Sequence, residues 1–190
     1  MAIICHSHRF VYFGCPKTGT NTVIRVLKAK PYCGVSFAAY HSADGPVPQG
    51  YLAWATVRNP WVRLLSWWHA WTHSPRAPED PVQGCDLPTF IAFLTDNRRT
   101  DLVHQNRFLR APQNVFIAAQ PCRAVVKLEN LAEDFAQLRF GGTPAFGRYN
   151  PGCWEGTVAS FYDVLATKEA IRYGVEEECE VLGYPKEIPE

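Results

Sequence analysis

Long apolar runs are what this chain most clearly lacks. In 190 residues no stretch approaches the roughly 20 consecutive apolar residues that span a bilayer, so the expectation is a protein with no membrane partner. An excess of either charge is also missing. Nineteen Lys and Arg face 18 Asp and Glu, for a formal net charge of +1. That balance argues against a surface built as a whole for nucleic acid or anionic lipid, and leaves room for a local basic cleft. Paired cysteine motifs are absent. The seven cysteines stand at 5, 15, 33, 85, 122, 153 and 179 without one Cys-x-x-Cys, and an odd, scattered set points to reduced buried thiols rather than a disulfide framework. Cys5-His6-Ser7-His8 offers three potential metal ligands, but no distant cluster completes a site, and no metal is expected. Met1 to Phe10 holds no signal-peptide core and leads straight into an apolar run, which sets the expectation of a cytoplasmic protein. Repeats, low-complexity tracts and a defensible domain boundary are missing as well.

What is present is the composition of an ordinary globular protein. Hydrophobic residues make up 47% and charged residues 19%, too apolar for a disordered chain. One domain over 1–190, with a substantial core, is expected. Apolar runs predict strands over Phe10–Phe13, Val35–Tyr40, Tyr51–Val57, Val115–Ala118 and Ala124–Leu128. Helical spacing predicts helices over Thr22–Lys30, Pro60–Thr72, Leu87–Asp96, Leu131–Arg139 and Thr167–Leu182. The alternation favours an α/β fold, a parallel central sheet flanked by helices. The Pro- and Gly-rich stretches His73 to Cys85 and Gly141 to Gly152 read as loops.

Two segments carry chemistry. Directly after the first strand comes Pro16-Lys17-Thr18-Gly19-Thr20-Asn21-Thr22. A strand, a small turn with Gly, then a helix start form a phosphate cradle: backbone N–H groups face the anion, Gly19 permits close approach, and Lys17 adds positive charge. A nucleoside-triphosphatase loop would need Lys at position 20, after the second Gly, where this chain has Thr20. The second segment is Thr56-Val57-Arg58-Asn59-Pro60-Trp61-Val62-Arg63-Leu64-Leu65-Ser66. Arg58 ends a strand, Asn59 suits an N-cap and Pro60 a first helical position. Trp61, Leu64, Leu65, Trp68 and Trp71 share one apolar face, with Arg63, Ser66 and Ala70 opposite. Arg58 and Ser66 could meet one anion at the strand's C-terminal edge, where ligands of open α/β sheets bind.

The first of these, Pro-Lys-Thr-Gly-Thr, resembles the 5′-phosphosulfate loop of sulfotransferases that use 3′-phosphoadenosine-5′-phosphosulfate (PAPS). The second resembles the family's 3′-phosphate motif, Arg-Asp/Asn-Pro-x-x-Arg-x-x-Ser. Weaker likenesses follow in order at Asp101–Leu109, Val126–Leu131 with Asp134-Phe135, and Leu182-Gly183-Tyr184, so the resemblance spans nearly the whole chain. It implies a P-loop-like architecture and an enzyme moving a sulfuryl group from PAPS, by in-line attack, to a hydroxyl acceptor, a small molecule or glycan, leaving 3′-phosphoadenosine-5′-phosphate. By the same resemblance Lys17, Thr18, Gly19, Thr20, Asn21 and Thr22 hold the 5′-phosphate side, Arg58 and Ser66 hold the 3′-phosphate, and Arg63 has a pairing role.

A general base is needed to take the acceptor's proton. His41 follows the run Val35–Tyr40 and is the first choice, with Asp44 beside it to orient it or act itself. That choice assumes that the second strand pairs with the first. His104 is the alternative base, while His69 and Glu129 read as surface and structural residues. Trp67 and Trp154 fall off the apolar face and are candidates to stack on adenine or a sugar. Two other functions stay open: a P-loop-type nucleotide or small-molecule kinase, and a non-catalytic nucleotide-binding module. The oligomeric state is open too.

Overall fold

The computed structural model describes residues 2–28, 35–38, 47–72, 84–97, 112–140, 146 and 155–190. The chain forms two compact units. The first comprises Met1–Arg58 and Val115–Pro151, the second Asn59–Asn114 and Gly152–Glu190. The whole is α/β, and among the described residues no helix is long and apolar enough to cross a membrane.

The first unit is built on a five-stranded sheet. Its strands are β1 (Ala2–Cys5), β2 (Phe10–Phe13), β3 (Val35–Ala38), β4 (Leu52–Val57) and β5 (Ala124–Lys127), in the order β3-β1-β2-β4-β5. β2 pairs in parallel with β4 and β4 with β5, while β1 is antiparallel to both β2 and β3. The expected all-parallel sheet is therefore mixed. The cause is Ala2-Ile3-Ile4-Cys5, too short a run to have been assigned. It returns through a tight turn that places Arg9 at φ 52 and forms a hairpin with β2. The hairpin separates β3 from β2, so the two strands expected to pair do not.

β2 is buried along its whole length, as a strand covered on both faces should be. Helix α1 (Thr20–Lys28) contributes Val23 and Leu27 to the core. Trp54 is the aromatic centre, its ring 4.6 Å from Tyr12 and 5.4 Å from Phe135 between centroids. Phe135 comes from the helix Leu131–Gln137 that follows β5. There Asp134 accepts the Lys127 N–H at 2.8 Å and fixes the end of β5.

Val115–Ala118, expected as a strand, belongs instead to the helix Gln113–Ala118, α4. Its burial explains the change. Gln113, Phe116 and Gln120 are buried while Val115 is half exposed, a spacing of three and four residues that only a helix gives. The apolar run alone did not separate the two periods.

The second unit is helical. Its main elements are α2 (Pro60–Thr72), α3 (Leu87–Asn97), α6 (Val164–Tyr173) and α7 (Val175–Leu182), counting Leu131–Gln137 as α5. α2 forms over the predicted span, and Asn59 caps it as expected: its Oδ1 accepts from Trp61 N–H at 3.0 Å and Val62 N–H at 3.4 Å. Asp86 and Asp163 cap α3 and α6 in the same way. The single C-terminal helix expected over Thr167–Leu182 is two. Gly174, at φ 100, donates its N–H to the last carbonyls of α6 and opens α7.

α2 is not amphipathic in the expected way. Arg63, assigned to the polar face, is fully buried, and Trp67 is buried beside it. Arg63 lies 3.7 Å from the Glu178 carboxylate and 4.9 Å above the Trp67 ring. Glu178 also accepts the backbone N–H of Gln113 at 2.9 Å. The pairing role expected of Arg63 is thus visible, and Trp67 belongs to the core, with no face open to stack on a ligand.

Candidate functional site

The carboxyl ends of β2 and β4 lie side by side. β2 leads towards β3 on one side of the sheet, and β4 is followed by β5 on the other. This is the kind of position where the strand order reverses and open sheets leave a crevice. Two segments reach it, Gly14–Gly19 from β2 and Arg58 from β4.

The loop is shaped by close approaches. A Cβ on Gly14 would stand 2.5 Å from the Thr20 methyl. Gly19 sits at φ 77, and a Cβ there would run into the Leu128 side chain. Both glycines are required where they stand. Lys17 adopts φ 67, a left-handed conformation that costs an L-residue about 1–2 kcal/mol. α1 begins with the Val23 N–H bonded to the Gly19 carbonyl at 3.1 Å, so the N–H groups of Thr20, Asn21 and Thr22 stand outside the helical ladder. Here a helix N-terminus and the left-handed residues before it turn several donors towards one concavity.

Below the loop, side-chain hydroxyls hold it to the sheet. Thr18 and Thr20 both donate to the Cys15 carbonyl, at 2.8 and 2.7 Å. Thr18 Oγ1 is also 2.9 Å from Thr56 Oγ1, which is 2.8 Å from the Tyr12 hydroxyl. Burial pushes the Tyr12 phenol well above its ordinary range, so Tyr12 stays protonated and acts as a donor. Tyr12 and Thr56 escaped the sequence reading because each is a lone hydroxyl in an apolar run. The Thr20 hydroxyl, expected on the phosphate, spends its proton on Cys15.

Lys17 is half-buried. Burial, and after it the nearby Arg58 charge, lower its pKa from 10.5 to about 8. Among the described residues no carboxylate pairs with it. Two cations held together beside N–H groups outside the helical ladder form a site of strongly positive potential. Lys17, Thr18, Gly19, Thr20, Asn21, Thr22 and Arg58 are all brought together in the first unit. Ser66 is half-buried on α2 in the second.

His41, Asp44, His104 and Trp154 lie outside the described residues. One premise behind His41 is corrected by the sheet: β1 intervenes between β3 and β2, so the end of β3 does not adjoin the loop by strand pairing. In the N-terminal turn, His8 Nδ1 contacts Ser7 at 3.0 Å and Cys5 at 3.5 Å, while His6 turns to the Tyr51 hydroxyl at 3.0 Å. The two imidazoles thus serve separate local contacts. A cavity of about 440 Å³ lined by Gly50, Tyr51, Ala53 and Arg123 opens near the amino ends of β4 and β5, the opposite edge of the sheet from the loop. Comparison of the chain with protein-family models, curated proteins and solved structures finds no match.

Proposed function

We propose that this protein is a PAPS-dependent sulfotransferase of P-loop-like architecture. The observation that carries the reading is the meeting of Lys17 and Arg58 at the carboxyl ends of two adjacent parallel strands, beside a helix start whose first N–H groups stand outside the helical ladder. Two cations placed this close to each other suit a ligand with more than one phosphate. The Lys at position 17, rather than 20, favours a phosphosulfate over a triphosphate. Gly14 and Gly19 let the loop pack closely on Thr20 and Leu128, which holds its backbone in one shape.

When bound, PAPS supplies an activated sulfuryl group and a phosphate leaving group. The loop N–H groups from Thr18 to Thr22 hold the 5′-phosphate. Lys17 places its ammonium at the leaving oxygen, where charge develops as the bond to sulfur breaks. Arg58 holds the 3′-phosphate through charge-assisted hydrogen bonds, the ligand that the sequence motif also assigns to Ser66. His41 takes the acceptor's proton, with Asp44 as its orienting carboxylate and His104 as the alternative base. The acceptor is a hydroxyl-bearing small molecule or glycan, and the enzyme works in the cytoplasm.

Calorimetry with 3′,5′-ADP and ADP, together with transfer of radiolabelled sulfate from PAPS to a panel of hydroxyl acceptors, tests this. Tight binding of 3′,5′-ADP with sulfate transfer is the expected result. Equal affinity for ADP, or magnesium-dependent phosphoryl transfer from ATP, would replace the reading with a kinase. Selective 3′,5′-ADP binding without transfer to any acceptor would leave a nucleotide-binding module.

A further inference from the structure

The Cys15 carbonyl sets the order of donation among the hydroxyls under the loop. A carbonyl accepts only, so the Thr18 proton points to Cys15. Thr18 then has no proton for Thr56, and the Thr56 hydroxyl must donate to Thr18 across 2.9 Å. That uses the Thr56 proton, so the bond between Thr56 and Tyr12, at 2.8 Å, is donated by Tyr12. Thr18 and Thr56 are fully buried, as is Tyr12, and water does not compete for these bonds.

The two halves of this network do different work. Thr18 and Thr20, both on Cys15, close the loop upon itself. The Thr56–Thr18 bond instead ties the closed loop to β4. Thr56 stands two residues before Arg58, at the carboxyl end of β4. The loop and Arg58 therefore keep a fixed separation through Thr56.

We infer that Thr56 is a positioning residue that sets the spacing between the loop and Arg58, and thereby makes the site select a nucleotide with phosphates at both its 3′ and 5′ ends. The inference rests on the sulfotransferase reading for the identity of the ligand. A 5′-phosphate alone touches only the loop, which Thr18 and Thr20 keep closed without Thr56. A second phosphate at the 3′ position gains from Arg58 only if the separation is held.

The test compares AMP with 3′,5′-ADP by calorimetry on wild type, Thr56→Val and Thr56→Ser, with thermal melts to confirm folding. In Thr56→Val the affinity for 3′,5′-ADP should fall about three- to tenfold, the equivalent of one buried hydrogen bond. AMP affinity should stay within about twofold, so the preference between the two ligands collapses; Thr56→Ser, which keeps the hydroxyl, should restore it. If Thr56→Val does not fold, Thr56→Cys replaces it, a side chain of similar size with a weak thiol donor. A preference that survives in the variant overturns the inference and leaves the sulfotransferase reading standing. So does an equal loss for both ligands, which marks Thr56 as merely structural. A wild type that binds AMP and 3′,5′-ADP equally well removes both.

Discussion

Affinity for 3′,5′-ADP should fall as the pH rises through about 8, and Lys17 is the reason. In the free protein its pKa is lowered from 10.5 to about 8, first by burial and then by Arg58. A phosphate placed against Lys17 offsets both effects, so the pKa in the complex returns towards its ordinary value. Between the two values binding must take up a proton. Affinity then drops about tenfold for each pH unit above 8. A return all the way to 10.5 would set a ceiling of about 2.5 decades. A charge-assisted hydrogen bond contributes only about 1.5–3 kcal/mol, or one to two decades, and this smaller figure sets the plateau. Calorimetry in two buffers of different ionisation enthalpy counts the protons directly. Uptake should be about half a proton at pH 8 and between about 0.4 and 0.8 at pH 9. The Lys17→Met variant should show neither the uptake nor the slope. Folding stability of the free protein should move the other way. The unfolded chain holds the Lys17 proton up to about 10.5 while the folded chain releases it near 8, so stability rises with pH across that window. An affinity flat from about pH 7 to pH 10, with no proton uptake, would refute the placement of Lys17 at the phosphate.

Three further outcomes follow from the same geometry. Gly19→Ala should cost about 2–4 kcal/mol by thermal or denaturant unfolding, from left-handed strain plus overpacking against Leu128. Adding Leu128→Ala should relieve the overpacking and not the strain, which a double-mutant cycle reads directly. Glu178→Ala removes the carboxylate beside buried Arg63 and the acceptor of the Gln113 N–H, and should destabilise by about 3–5 kcal/mol. The paired replacement of Arg63 by Met and Glu178 by Leu should cost much less, and a double variant as unstable as Glu178→Ala would contradict that account. His41→Ala should lower turnover with the true acceptor by roughly two to four decades while 3′,5′-ADP affinity stays near normal; a near-normal rate, with a collapse in His104→Ala, would move the base to His104.

Short-range order was legible in the chain itself. Phe10–Phe13 reads as a strand covered on both faces, and Asn59-Pro60 reads as a cap and first turn, because these signals act within a few residues. The loop Pro16–Gly19 was legible for the same reason, since its glycines and its Lys lie on one short turn. Tertiary structure decided what depends on partners far along the chain. Ala2–Cys5 becomes a strand only because Phe10–Phe13 and Val35–Ala38 flank it, and its insertion undoes the expected pairing of β2 with β3. Gln113–Ala118 is helical because Phe116 and Gln120 find cover that a strand would have denied them. Arg63 is buried because a carboxylate at Glu178, far along the sequence, meets it. Most of all, Lys17 and Arg58 become one electrostatic site, and Thr56 becomes the floor of the loop, only when β4 lies beside β2. Charge state and spacing are properties of neighbours in space, and a linear sequence names the residues without saying which of them will be neighbours.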